Sequence, residues 1–198
     1  MRRMTSLTPE ELLRLLRAAH ARTRDWCMIL VAYRHGLRTL EVCALKLSDV
    51  ENGYIAVQRV KGSMGTLQPL SRNPYEPLLD EVVALQAWLA VRPNDGSAFL
   101  FTSQKGGGLH RTQFFRMFQT VAKRAGLPTH KRHPRILKYS LAAHLLGHKA
   151  DITLISRILG HRSINSTLKY VKATARQNVA ANINLLPLLL TNLIPCDP

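Results

Sequence analysis

Between His133 and Tyr170 the chain reads HPRILKYSLAAHLLGHKADITLISRILGHRSINSTLKY, and its punctuation cuts this stretch into three helices. His133-Pro134 opens the first, because proline is tolerated in a first turn where its missing N–H would have had no partner. Asp151 opens the second, in which Ile152, Ile155, Ile158 and Leu159 repeat at helical spacing before Gly160 stops it. A third, short helix follows Ser163 and carries Tyr170. Arg135 and Lys138 are three residues apart on the first helix and therefore share a face. His161 stands just past the glycine stop and Tyr170 follows nine residues later. Two cations, a histidine and a tyrosine in this order are the outfit for handling a phosphodiester.

The stretch resembles the C-terminal box of the tyrosine recombinases, the phage-integrase family, whose pattern reads HPHxLRHSxATHLLxxGxDxxxIxxxLGHxxxxxTxxYxxx. Three further stretches resemble parts of the same family in the same order. YRHGLRTLEVCALKLSDV (33–50) is similar to its first-arginine box and YIAVQRVKGSMGTLQPL (54–70) to its lysine hairpin. FLFTSQKGGGLHRTQFFRMFQTVAKRAGL (99–127) is similar to the connecting segment. The resemblance covers most of residues 8 to 172. It implies a mainly α fold with a small antiparallel β-sheet, that of the family's catalytic domain, over residues 1–172, followed by a helical and apolar tail over 173–198.

Charge points the same way. Residues 1–95 carry 13 Lys+Arg against 10 acids, a balance of +3, whereas 96–198 carry 15 Lys+Arg against Asp151 and Asp197 alone, a balance of +13. One polyanion-facing surface built mainly by the second half accounts for this asymmetry. A merely solvated basic face would intersperse acids. The basic residues are scattered through folded-looking segments rather than gathered beside an apolar anchor, which favours nucleic acid over a membrane. Lys105, Arg111, Arg116, Lys123, Arg124, Lys131, Arg132 and Arg162 are the candidate phosphate contacts. Cys27, Cys43 and Cys196 form no CxxC pair, and the first two sit among apolar residues as small core hydrophobes. No signal peptide and no apolar run of spanning length is visible, so a reducing cytoplasm, at the nucleoid, is the expected compartment.

Taken in order, the chain begins with a basic, frayed segment over 1–7. Thr8-Pro9-Glu10-Glu11 is a capping box that starts a helix running to about Ala21. A second helix from about Thr23 places Trp26, Ile29, Leu30 and Tyr33 inward and ends at Gly36. Thr39 opens another, with Leu40, Val42, Cys43 and Leu45 inward, and Arg38 lies in the bend between the two. Arginine beside a helix N-terminus opposes the helix dipole, so this placement is unfavourable unless an anion is bound. Residues 53–70 read as a hairpin, 75–92 as an amphipathic helix, Phe99-Leu100-Phe101 as a short buried strand, and Arg111 to Ala125 as a helix with Phe114, Phe115, Phe118 and Val121 inward. His130-Lys131-Arg132-His133 reads as a DNA-facing loop; flanking cations and the lack of a nearby Cys, Asp or Glu make it a poor metal site.

The resemblance also assigns roles. Arg38 would hold a non-bridging oxygen of the scissile phosphate, with Glu41 bracing it; a planar, always charged fork suits that task. Lys61, eight residues before Pro69, would protonate the leaving 5′-oxygen. Tyr170 would attack the phosphate to give a 3′-phosphotyrosyl link, with His161 and Arg135 or Lys138 supplying charge to the phosphorane oxygens. Because the bond energy is stored in the covalent link, no cofactor and no metal is required. The implied partners are double-stranded DNA, further copies of the chain (four protomers on two duplexes) and accessory DNA-bending proteins. The short chain resembles the catalytic-domain-only members, such as the invertases that flip fimbrial promoters, with no separate N-terminal clamp domain.

The sequence leaves the family pattern at two places. Arg135 stands where the family usually has histidine, and Lys138 where it has its second arginine. Arginine does not exchange protons near neutral pH and lysine lacks the bidentate fork. In one reading Arg135, a turn away, supplies the missing guanidinium with Lys138 in support. In the other, activity is weak and the protein is chiefly a DNA-binding regulator. The leucine-rich segment over 183–190 packs either on its own domain or on a neighbouring protomer.

Overall fold

The computed structural model describes residues 5–60, 63–103 and 105–175, with the side chains of 172–175 left aside. Eight α-helices and a three-stranded antiparallel sheet make up the described part: α1 (Pro9–Ala19), α2 (Thr23–Arg34), α3 (Thr39–Ala44), β1 (Val50–Glu51), β2 (Tyr54–Val57), β3 (Thr66–Pro69), α4 (Glu81–Val91), α5 (Arg111–Arg124), α6 (Arg135–Gly147), α7 (Ile152–Ile158) and α8 (Ile164–Ala175). The fold class is the one expected from the sequence, and Lys61 and the 183–190 segment lie outside the described residues.

The centre is α2. Every residue from Asp25 to Arg34 is buried, and a helix apolar on most sides must be packed on most sides. It packs against α1, α4 and α6. The polar groups inside are paired, as burial demands. The Tyr33 hydroxyl bonds His144 Nδ1 (2.8 Å), and His144 Nε2 bonds the Leu7 carbonyl (2.9 Å), while the Leu7 N–H donates to Ser140 Oγ (2.8 Å). Leu7, 1% exposed, is therefore anchored rather than part of a frayed start; residues 1–4 of that segment lie outside the described residues. Cys27 and Cys43 are free and buried.

Caps set the helix starts. Thr8 and Glu11 close the capping box of α1, and Asp151 Oδ1 accepts from Thr153 N (2.7 Å) and Leu154 N (3.3 Å) to start α7. Two elements differ from the sequence reading. The 75–92 helix begins only at Glu81, because Asp80 takes the N-cap through Val83 N (2.9 Å) and Pro77–Leu79 forms a 3-10 turn before it. Residues 99–101 form no strand: their bridge pairing is confined to Lys46↔Phe99, with a second isolated bridge, Thr102↔Gly108, just beyond them. Leu100 and Phe101 are nevertheless fully buried.

The β2–β3 hairpin, in register Tyr54↔Pro69 to Val57↔Thr66, leans on the turn between α7 and α8. Met64 N donates to the Gly160 carbonyl (3.1 Å), and a Cβ on Gly160 would meet Met64 O at 2.8 Å. Gly160 has φ +68°, so glycine is required there twice over, for conformation and for space.

Candidate active site

Three helix starts converge on one cavity of about 680 Å³. The α3 start contributes Leu37, Arg38, Thr39 and Leu40; the α5 start contributes Arg111, Thr112 and Phe115; the first turns of α6 contribute Arg135, Lys138 and Tyr139. Val60 of the hairpin and Tyr170 of α8 complete the wall. Leu40 and Phe115, expected inside the core, are 44% and 40% exposed and form the apolar rim of this cavity. Helical spacing in each marks an apolar face without saying whether a core or a cleft covers it.

Arg38 is the N-cap of α3. Glu41 holds it, accepting from the Arg38 backbone N–H (2.7 Å) and from Nη1 (2.6 Å). Burial alone would push the Glu41 carboxyl up; the Arg38 backbone N–H and the Arg59 charge outweigh it and keep the carboxylate ionised below its usual range. The bracing expected of Glu41 is thus present, and it is shared. Arg59, whose side chain is fully buried, donates to Glu41 (3.0 Å), to the carbonyls of Gly36 (3.0 Å) and His35 (2.8 Å), and to that of Ile158 (2.6 Å). One guanidinium thereby ties the hairpin, the Arg38 turn and the end of α7 together. Nothing around Arg59 in the sequence distinguishes it from a surface arginine.

Tyr170 sits between two rings. Tyr139 meets it edge-on at 5.3 Å, and the His161 imidazole stacks on it at 5.7 Å and 27°. Burial raises the phenol pKa to about 12, Tyr139 adds to this, and Arg38 and Arg135 act against it. His161 Nδ1 is hydrogen-bonded to Thr167 Oγ1 (2.9 Å), which fixes the ring and leaves Nε2 free of it. Burial, then the charges of Lys138, Arg38 and Arg59, drive the imidazole down to about 4. At neutral pH His161 is therefore neutral, and in the free protein it offers a hydrogen bond or a proton acceptor.

Arg135 and Lys138 share a helix face but differ in environment. Arg135 is exposed in the cavity and, among the described residues, carries no hydrogen bond or ion pair. Lys138 is 3% exposed, and its Nζ donates to the carbonyls of Gly36 (2.8 Å) and Leu159 (2.9 Å). Burial, then Arg59, lowers its ammonium to about 7, with Glu41 opposing and Arg38 assisting.

Of the candidate phosphate contacts, Arg111 lies in the cavity itself, and Lys105, Arg116, Lys123, Arg124 and Arg162 are exposed. Lys131 and Arg132 are half-buried with partners inside the protein: Lys131 Nζ pairs with Glu11 (2.6 Å) and Arg132 Nε donates to the Leu127 carbonyl (2.7 Å). No helix among the described residues is long and apolar enough to cross a membrane.

The chain is 36% identical over 178 residues to the Type 1 fimbriae regulatory protein FimB of Escherichia coli (strain K12), covering 85% of this chain and 84% of FimB. The crystal structure of XerA recombinase superposes with a TM-score of 0.75 at 28% identity, covering 87% of this chain and 63% of that one. That of the XerH site-specific recombinase bound to its difH substrate, a pre-cleavage complex, shares the fold at a TM-score of 0.69 and 24% identity, over 88% of this chain and 53% of that one. The chain thus spans somewhat more than half the length of these two solved recombinases. The phage integrase family pattern matches residues 5–177, and with that match over nearly all the described residues the chain belongs to the phage integrase family, the tyrosine recombinases.

Proposed function

We propose that this chain is a site-specific DNA recombinase that cleaves and rejoins double-stranded DNA through a 3′-phosphotyrosyl intermediate on Tyr170. The observation that carries the reading is the meeting of Tyr170, Arg38 and Arg135 in one cavity. Tyr170 Oη attacks the scissile phosphorus, the bond from phosphorus to the 5′-oxygen breaks, and the phenolic proton passes to the neutral His161 imidazole. Lys61 protonates the departing 5′-oxygen. A 5′-hydroxyl of a partner strand then attacks the phosphotyrosine and returns the phenol, so no external energy source enters. Arg38 and Arg135 supply the guanidinium forks for the two non-bridging oxygens, and Arg111 lines the same cavity.

Residues 1–172 form the catalytic domain in this reading, and 173–198 pack on it or on a neighbouring protomer. Lys105, Arg116, Lys123, Arg124 and Arg162 contact flanking phosphates, with smaller parts for Lys131 and Arg132 because those two already have partners. The working assembly is a tetramer on two duplexes at the nucleoid, aided by DNA-bending proteins.

Trapping tests this. Nicked duplexes tiled across the DNA flanking the gene release a short 5′-hydroxyl fragment after cleavage and leave the intermediate stranded. A protein–DNA band that survives denaturation and disappears on protease treatment is expected. DNA binding without any such band would leave a regulator and exclude the recombinase.

A further inference from the structure

We infer that Lys138 is a positioning residue: it holds the Arg38 turn and the His161 turn together from beneath and is not the phosphate clamp of this chain. The inference rests on the recombinase reading for the identity of the groups being positioned.

The geometry is that of a strut. Gly36, at φ +55°, is two residues before Arg38, and Leu159 caps α7 two residues before His161. The Lys138 ammonium donates to both of their carbonyls, at 2.8 and 2.9 Å, from a helix between them. The fit is close: a Cβ on Gly36 would lie 2.7 Å from Leu159 Cδ2 and 3.9 Å from Lys138 Cγ. An ammonium has three N–H donors, and two are spent on these carbonyls, so at most one faces the cavity. Such a group cannot grip two phosphate oxygens. Arg135, one turn earlier, can, and has no competing partner among the described residues.

The lysine is also suited to the strut in a way arginine is not. A compact ammonium satisfies two carbonyls that converge on one point, whereas a planar guanidinium spreads its donors and is longer. Restoring the family's arginine at 138 therefore wedges the two turns apart instead of repairing the site. The charged and titratable groups that face the Lys138 ammonium are Arg59 from the hairpin, Glu41 and Arg38 from α3 and its cap, and His161 beyond α7.

The test has two arms on the full chain. In the first, the carbonyl carbon resonances of Gly36 and Leu159 are followed by NMR from pH 5 to 9 without DNA. Both are expected to titrate together, with one midpoint near neutrality, as the Lys138 ammonium loses its proton. In Lys138→Met, and in Lys138→Arg should the methionine variant not fold, that shared titration is expected to vanish. In the second arm, Lys138→Arg is expected to lower the yield of trapped covalent adduct at least tenfold, with binding of the same duplex within twofold of the parent. Carbonyl resonances indifferent to the substitution, or a Lys138→Arg yield equal to or above the parent, would overturn the inference. The first arm contains no DNA, so a chain that never forms adducts refutes the recombinase reading and leaves the strut to be decided by the carbonyls.

Discussion

Tyr170 is held before any substrate arrives, by an edge contact from Tyr139 and a stack on His161. Its phenol, raised to about 12, stays protonated at neutral pH, so the proposed attack needs a proton acceptor and nearby positive charge at the moment of reaction. Tyr170→Phe removes only the oxygen and keeps both ring contacts. Adducts in the trapping assay are expected to disappear while duplex affinity changes less than twofold; adducts that persist would move the nucleophile to Tyr139. Arg135 supplies the uncommitted guanidinium. Arg135→Ala is expected to slow cleavage about a hundredfold, corresponding to the loss of a preorganised donor of roughly 3 kcal/mol, without lowering the melting temperature, since the side chain is exposed. A loss of stability matching the loss of rate would instead make Arg135 a structural residue.

At the scale of elements, the turn ending α7 does two jobs, and its glycine shows how they combine. A side chain at Gly160 would strain a left-handed backbone and also press on Met64 O at 2.8 Å and on Arg59 at 2.9 Å. Gly126 has the same φ, +68°, with nothing within 4 Å of its would-be Cβ. Gly126→Ala is expected to destabilise by about 1 kcal/mol, from conformation alone, and Gly160→Ala by roughly twice that or more, as read from urea denaturation. Equal losses would mean that the hairpin does not rest on this turn. The three helices of the 133–170 stretch could be read from the sequence because proline, a capping aspartate and glycine act locally, within a turn of where they stand. The same local logic failed at 75–92, where apolar spacing continued through Pro77 and Asp80 although the backbone could not. It was blind to Arg59, and to what Lys138 would bond, since the partners of these two lie up to 102 residues away and a burial of that kind leaves no periodic trace. Arg38, His161 and Tyr170 could be read only as a set, by family resemblance; that Arg38 and Tyr170 line one cavity and His161 stacks on Tyr170 is a property of packing between helices.

For the whole molecule, two bulk measurements follow. The surplus of +13 over residues 96–198, with most of its cations exposed, makes duplex binding a counterion-release process. The logarithm of the binding constant is expected to fall with that of salt with a slope of about −0.9 per phosphate neutralised, and a flat response would remove DNA from this face. The second measurement is acid stability. His144, 2% exposed and bonded at both ring nitrogens, is pushed by burial to about 4 from its usual 6.5. The unfolded chain takes up this proton below about 6.5 while the folded chain refuses it until about 4, so stability is full above 6.5 and declines between these values, by on the order of 3 kcal/mol at its limit. Calorimetry across that window in the parent and in His144→Gln checks it: the variant should show a shallower decline.

Arg59 has a consequence for the order in which the protein comes into being. Its guanidinium gathers the carbonyls of His35, Gly36 and Ile158 with the carboxylate of Glu41, so the turn bearing Arg38 has its full support only when residues from three separate regions meet. A ribosome delivers the N-terminal end first, and contacts of such long sequence separation close late. The emerging polypeptide is thus exposed for much of its synthesis with this cavity unassembled. The Arg59 bond to Ile158 and the Tyr170 wall of the cavity can form only after those late residues have left the ribosome.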